Sequence, residues 1–210
     1  MIRVLVGDDH AIVRRGLRQI LSETSDIAVE AEAATAAEVL ECVRTRRFDV
    51  VVLDVNMPGG NGIELIAEIR KERAGLPVLI LTVYPEDQYA VRAIKAGAAG
   101  FLTKESAPEK LLEAVRKVAA GGRWVSNELA ETLASMVAGD GGGAPHELLS
   151  DREFEVMKLL ASGKTVSQIG VELSLSVKTI STHRTRILKK MSMKTNAELT
   201  QYAVRNGLVD

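Results

Sequence analysis

Val50-Val51-Val52-Leu53-Asp54-Val55-Asn56-Met57-Pro58 runs four apolar residues into an aspartate and then into a turn. No polar residue interrupts Val50 to Leu53, so the segment reads as a strand buried on both faces. Four more short runs rich in β-branched residues lie on either side of it: Ile2 to Val6, Ile27 to Ala31, Val78 to Leu81 and Gly100 to Leu102. The stretches between them carry apolar residues at helical spacing, as in Val13, Leu17, Ile20 and Leu21, in Ile63, Ile66 and Ile69, and in Leu111, Leu112 and Val115. A parallel crossover needs a helix, so five βα units of this kind predict a doubly wound α/β domain. Its five-stranded parallel sheet is expected to be covered on both faces, and the domain to end near Ala120.

A shorter helical pattern follows from Asn127 to Val137, and Gly139-Asp140-Gly141-Gly142-Gly143-Ala144-Pro145 then breaks every periodicity and reads as a flexible linker. Beyond it only helical patterns remain: Phe154 to Leu160, Val166 to Leu173, Val177 to Met191 and Ala197 to Val204. The expected organisation is a domain at 1–120, a linker helix and glycine-rich linker at 121–147, and a smaller all-α domain at 148–210. The 210 residues are 46% hydrophobic and 26% charged, enough for two modest cores. Net charge is −1, yet from Pro145 onward ten Lys/Arg stand against seven Asp/Glu, a local +3 that leaves −4 for the rest. That asymmetry suits an anion-binding C-terminus. Cys42 is the only cysteine, so no intrachain disulfide forms, and its apolar helical setting suggests a packed hydrophobe. No apolar run approaches the roughly 20 residues of a membrane span, and a cytoplasmic protein is expected.

Ligands of doubly wound sheets sit at the carboxyl ends of the strands. Asp8 and Asp9 end the first strand, Asp54 the third, Thr82 the fourth and Lys104 the fifth, so all five should converge on one rim. Three clustered carboxylates repel one another unless a cation neutralises them, and an all-oxygen site open to water suits Mg2+. A lysine ammonium and a hydroxyl can compensate phosphoryl oxygens, with Asp54 as nucleophile forming an acyl phosphate. The plainer reading, that Asp8 and Asp9 only cap the following helix, leaves Asp54 and Lys104 without a role. His10 reads as a loop residue, and Gly59, Gly60 and Gly62 as turn residues before the third helix.

The set Asp8-Asp9-His10, Asp54 to Pro58 with Gly62, Leu81-Thr82, and Gly100-Phe101-Leu102-Thr103-Lys104 resembles the flavodoxin-like receiver domain of bacterial two-component response regulators across residues 1 to 120. That resemblance implies that Asp54 takes a phosphoryl group from a sensor histidine kinase. It further implies that Asp9, Asp54 and the Asn56 backbone carbonyl ligate Mg2+, with Asp8 acting mainly through water. Thr82 and Lys104 would hold the phosphoryl oxygens, and Phe101 stands where such domains carry an aromatic switch residue that swings inward. Glu105 follows the lysine where many receivers have proline, and Pro108 comes later.

In the C-terminal part, Val177, Ile180, Ile187, Leu188 and Met191 form one helical stripe, and Ser176 is a suitable N-cap. The opposite face carries Lys178, Ser181, Thr182, Thr185, Arg186 and Lys189. The short Ser174-Leu175-Ser176 turn joins this helix to the preceding one, as in a helix-turn-helix. Leu149 to Glu153, Leu159 to Gly163 and Ser176 to His183 resemble the LuxR-type DNA-binding domain, which joined to a receiver is similar to the NarL/FixJ family of response regulators. Val166 and Gly170 depart from its usual residues. The match implies that Ser181, Thr182 and Thr185 reach base edges of double-stranded DNA, while Lys178, Arg184, Arg186, Lys189 and Lys190 contact phosphates. With 3% aromatic residues no stacking platform for single strands is apparent. His183 is expected to pack or face a phosphate, and the last helix either supplies a dimer contact or packs on its own domain. The expected protein is not an enzyme beyond its own phosphorylation and dephosphorylation. A phosphatase with an aspartyl nucleophile would need a second aspartate where Asn56 stands. A homodimer formed on phosphorylation is the expected active state.

Overall fold

The computed structural model describes residues 1–58, 60–83, 86–138 and 144–209. They divide into two compact units, Met1–Ala134 and Ser135–Asp210. Most of the glycine-rich stretch, 139–143, lies outside the described residues.

The first unit alternates β1 (Ile2–Gly7), α1 (Ala11–Leu21), β2 (Ile27–Ala33), α2 (Ala36–Thr45) and β3 (Val50–Leu53). A two-residue antiparallel ladder follows, β4 (Asn56–Met57) against β5 (Gly60–Asn61). The series resumes with α3 (Gly62–Glu72), β6 (Val78–Thr82), α4 (Glu86–Ala96), β7 (Gly100–Thr103) and α5 (Ala107–Ala119). The main sheet has the order β2-β1-β3-β6-β7, every neighbouring pair parallel. Connections leave β1 toward one edge and β3 toward the other, so a crevice opens between the carboxyl ends of β1 and β3. All four residues of β3 are buried, as its unbroken apolar run requires.

Strand side chains alternate between faces. Val4, Val6, Val50, Val52, Leu79 and Leu81 pack against Leu17 and Leu21 of α1 and against Leu111, Val115 and Val118 of α5. Burying each such side chain is worth about 1.5–3 kcal/mol relative to exposure. The helices α2, α3 and α4 contact one another in chain order. Cys42, on α2, is half-buried and burial pushes its thiol pKa up, in keeping with a packed rather than a reactive group. The shorter strands read from the sequence extend by one or two residues at their carboxyl ends, because ladder pairing continues past the apolar run, as in Thr82 with Thr103.

The twelve-residue α6 (Asn127–Ala138) spans the division between the units. The second unit contains a 3-10 turn (Pro145–Leu148), α7 (Asp151–Ala161), α8 (Val166–Glu172), α9 (Val177–Lys190) and α10 (Asn196–Arg205). Each helix begins at a hydroxyl cap. Ser150 accepts from Glu153 N, Thr165 from Gln168 N, Ser176 from Thr179 N and Thr195 from Glu198 N. Phe154, Met157, Ile169, Ile180, Ile187 and Leu199 make the core. Among the described residues no helix is long and apolar enough to cross a membrane.

Candidate functional site

The acidic site at the carboxyl ends of the strands is assembled from backbone pairing before any side chain meets another. Asp8 N donates to Ala33 O at 3.0 Å, Asp54 N to Gly7 O at 2.8 Å, and Lys104 N to Thr82 O at 2.8 Å. These bonds tie β1 to β2, β3 to β1 and β7 to β6 at their carboxyl ends, and the β3–β6 pairing joins the two groups. Asp54 is 5% exposed and Thr82 is fully buried. Gly62 N donates to Val55 O at 2.7 Å, and a Cβ at Gly62 would lie 2.1 Å from Asp54 O. Gly62 is therefore more than a turn residue: only glycine lets α3 start this close to Asp54.

Lys104 Nζ sits 2.7 Å from Asp54 Oδ2 and 2.6 Å from Asp8 Oδ2. Among the described residues the other oxygen of Asp54, Oδ1, which is buried, has no hydrogen-bond partner. Burial, with the charge of Asp8, holds the Asp54 pKa above the ordinary carboxylate value although Lys104 and the Asn56 backbone oppose this. Burial would lower the Lys104 pKa, but bonding to Asp54 and Asp8 raises it, so the ammonium stays charged. Ligand atoms of Asp8, Asp9, His10 and Asp54 all lie within 4.8 Å of one another. Neither aspartate caps α1 through its side chain. The N-cap is His10, which makes no side-chain cap bond, and Asp8 Oδ1 accepts from His10 N at 2.8 Å. His10 Nδ1 lies 2.6 Å from Asp9 Oδ1.

Asn56 lies in the short ladder, paired with Asn61, directly after Asp54 and Val55. Phe101 is 2% exposed, its ring already inside the domain. The turn after Lys104 needs no proline. Ser106 N donates to Thr103 O at 3.1 Å, and Pro108 falls in the first turn of α5, where its missing N–H costs nothing. Arg14, which the sequence reading passed over, donates to Asp8 O at 2.7 Å and to Glu32 at 3.2 Å. Its place one helical turn after the acidic pair was the available signal. At the opposite end of the sheet a cavity of about 360 Å³ is lined by Arg3, Arg46, Arg47 and Arg73 among others. Arg3 is spent on Asp49 at 3.0 Å, and Arg73 donates to Val43 O and Arg46 O at the end of α2.

On α9, Lys178, Ser181, Thr182, Thr185, Arg186 and Lys189 are exposed together, opposite buried Ile180 and Ile187. Thr182 and Thr185 donate their hydroxyls to Lys178 O and Ser181 O, both at 3.0 Å, which leaves each hydroxyl oxygen able to accept. One expectation changes, and two cations are found with partners. Val177 is 52% exposed, outside the apolar stripe, because it opens the helix beyond the reach of the core. Arg184 is half-buried and donates to Asn196 Oδ1 at 2.7 Å. Lys190 is paired with Glu153 at 2.6 Å. Both side chains have partners inside the domain before any phosphate approaches. His183 is half-buried with Nδ1 unpartnered, and burial lowers its pKa, leaving a neutral packed imidazole. The turn between α8 and α9 holds Ser174 at φ 53°, and Leu175 N donates to Gly170 O at 2.8 Å. On α10, Leu199 and Ala203 are buried and Tyr202 meets His146 at 2.7 Å.

The response regulator receiver domain model matches residues 4–116, and the model of bacterial regulatory proteins of the luxR family matches residues 147–203. The chain belongs to the response regulators. It is a two-component response regulator of the NarL/FixJ family, with a receiver and a LuxR-type DNA-binding domain. It is 36% identical to response regulator UvrY of Escherichia coli (strain K12), over 99% of this chain and 96% of that protein. To response regulator GacA of Pseudomonas aeruginosa it is also 36% identical, over 100% of this chain and 99% of that one. Among solved structures it is similar to RcsB from Salmonella enterica serovar Typhimurium, bound to promoter P1flhDC in the presence of phosphomimetic BeF3-. That match has 27% identity and a TM-score of 0.60, over 96% of this response regulator and 97% of RcsB. A LuxR-family response regulator from Aurantimonas sp. SI85-9A1 matches with 36% identity and a TM-score of 0.60, over 66% of this chain and 99% of that chain.

Proposed function

We propose that Asp54 is the phosphoacceptor of this response regulator and that its phosphorylation by a sensor histidine kinase controls DNA binding by α9. The observation that carries the reading is the division of the Asp54 carboxylate: Oδ2 is held by Lys104, and buried Oδ1 has no partner among the described residues. Oδ1 attacks phosphorus, the P–O bond forms as the bond from phosphorus to the kinase histidine breaks, and the imidazole leaves with the electron pair. Lys104 and Thr82 then hold phosphoryl oxygens.

The carboxylates of Asp8, Asp9 and Asp54, with ligand atoms within 4.8 Å of one another, are hard oxygen donors that fit a magnesium ion. Asp9, Asp54 and the Asn56 backbone carbonyl would hold it, with Asp8 through water. Bound there, Mg2+ supplies positive charge to the phosphoryl oxygens. Ser181, Thr182 and Thr185 read base edges in the major groove, and exposed Lys178, Arg186 and Lys189 bind phosphates. RcsB, whose solved complex contains promoter DNA, supports that orientation of function. The active form is a homodimer on paired half-sites.

Incubation with acetyl phosphate and Mg2+ is expected to add one phosphoryl mass at Asp54 and to tighten binding to promoter DNA. Asp54→Ala is expected to lose both. A variant that still responds overturns the assignment.

A further inference from the structure

The segment after α5 carries no periodic pattern, yet it is built into the sheet. Gly122 N donates to Lys117 O at 2.9 Å and closes the helix. The chain then runs beside β7, the strand at the edge of the sheet. Trp124 N donates to Ala99 O and Phe101 N donates to Trp124 O, both at 3.0 Å, making a parallel bridge with Gly100. Arg123 donates to Ala98 O at 3.0 Å, and Lys117 Nζ lies 5.5 Å from the Trp124 ring centroid. Close approach requires the glycine, since a Cβ at Gly100 would lie 2.7 Å from both Trp124 Cβ and Trp124 O. An open edge would leave N–H and C=O groups unpaired. Here the cover for β7 is the stretch that leads directly into α6.

The same strand serves the phosphoryl site. Phe101, whose N–H holds Trp124, lies three residues before Lys104, and Lys104 is bonded to Thr82 O, Asp8 and Asp54. We propose that residues 123–125 are the output strand of the receiver, through which the state of Asp54 reaches the start of α6 by way of β7. The proposal rests on the reading of Asp54 as the phosphoacceptor. A phosphoryl group there adds anionic oxygens for the Lys104 ammonium, so the end of β7 is held more firmly and the pairing on its outer edge opens less often. Three hydrogen bonds, one cation–ring contact and the packing of Trp124 against the core hold this short edge segment, and a pairing this small can open locally without unfolding the domain.

The test uses the full-length protein and follows hydrogen exchange of the Phe101 and Trp124 amides with and without acetyl phosphate and Mg2+, with Asp54 occupancy measured by intact mass on the same sample. Exchange at both amides is expected to slow by about tenfold on phosphorylation. Emission from Trp124, the only tryptophan, should shift in parallel. Unchanged exchange with Asp54 fully labelled overturns the output strand and leaves the phosphoacceptor standing, whereas absence of labelling overturns both. Gly100→Ala drives a methyl group into Trp124, and Trp124→Pro removes the N–H given to Ala99. Each is expected to take up phosphoryl as the parent does while losing about fivefold or more of the phosphorylation-dependent gain in DNA affinity. A fully retained gain would reduce the segment to edge packing and overturn the proposal, and Trp124→Pro decides it if Gly100→Ala fails to fold.

Discussion

The carboxylate rim of the receiver and the exposed face of α9 both meet phosphate groups in the proposed function, yet they hold their charges in opposite ways. At the rim, two buried carboxylates share one ammonium at 2.6 and 2.7 Å. On α9, Lys178, Arg186 and Lys189 stand in solvent, and the helix gives them no shared partner. The difference follows from the task. Transfer to one atom requires preorganised charge away from water, where reorganisation is small. Holding a long polyanion requires charges that can give up water and counterions at many points.

The largest effect should come from removing the shared cation. Lys104→Met is expected to slow phosphoryl uptake from acetyl phosphate by about 100-fold, followed by intact mass over time. It should also leave a protein whose melting temperature rises more with added Mg2+ than that of the parent. A variant labelled at the parental rate would show that the ammonium balances charge at rest and does nothing in transfer.

Next in size is a contrast between two lysines of one helix. Lys178→Ala is expected to weaken DNA binding and to reduce the salt slope of log K by about 0.9, the loss of one phosphate contact. Lys190→Ala should leave that slope unchanged and lower thermal stability instead, because it leaves Glu153, 4% exposed, without its cation. If the two variants behave alike in a salt titration, the separation of paired from free cations on α9 is wrong.

A smaller effect is set by pH. Burial alone would raise the Glu153 pKa, but Lys190 and the Ser150 backbone bring it below the ordinary 4.5. A depressed folded-state pKa means that the contribution is complete above the unfolded value and is lost as pH falls below about 4.5 toward the folded value. Glu153→Gln should therefore flatten this part of the acid-unfolding profile measured by circular dichroism. Smallest of all, Val177→Ser is expected to change stability by no more than about 0.5 kcal/mol in urea unfolding, since Val177 is outside the core. Ile180→Ala, three residues further into the helix at a fully buried position, should cost about 2–5 kcal/mol.

The receiver was more legible in the sequence than the proposed DNA-binding face. Strands such as Val50 to Leu53 announce themselves by an unbroken apolar run, and the doubly wound order then forces Asp8, Asp54, Thr82 and Lys104 onto one rim. Helix α9 is amphipathic, so periodicity could separate its faces but could not say which cations on the polar face had partners elsewhere. Periodicity also misplaced Val177, because a stripe drawn at 100° per residue takes no account of where the core ends.

The sequence by itself determined the βα alternation, the acidic strand ends, the hydroxyl cap of the recognition helix and the family to which they belong, since each is written in local pattern and spacing. Only the tertiary structure decided which oxygen of Asp54 is held and which is left unpartnered, and that Arg184 and Lys190 are engaged inside their own domain. It alone docked Trp124 on β7. These facts depend on partners far apart in the chain, 50 residues for Lys104 with Asp54 and 37 for Lys190 with Glu153. Local propensity carries no information about such pairs until the core has closed and brought them within a hydrogen bond.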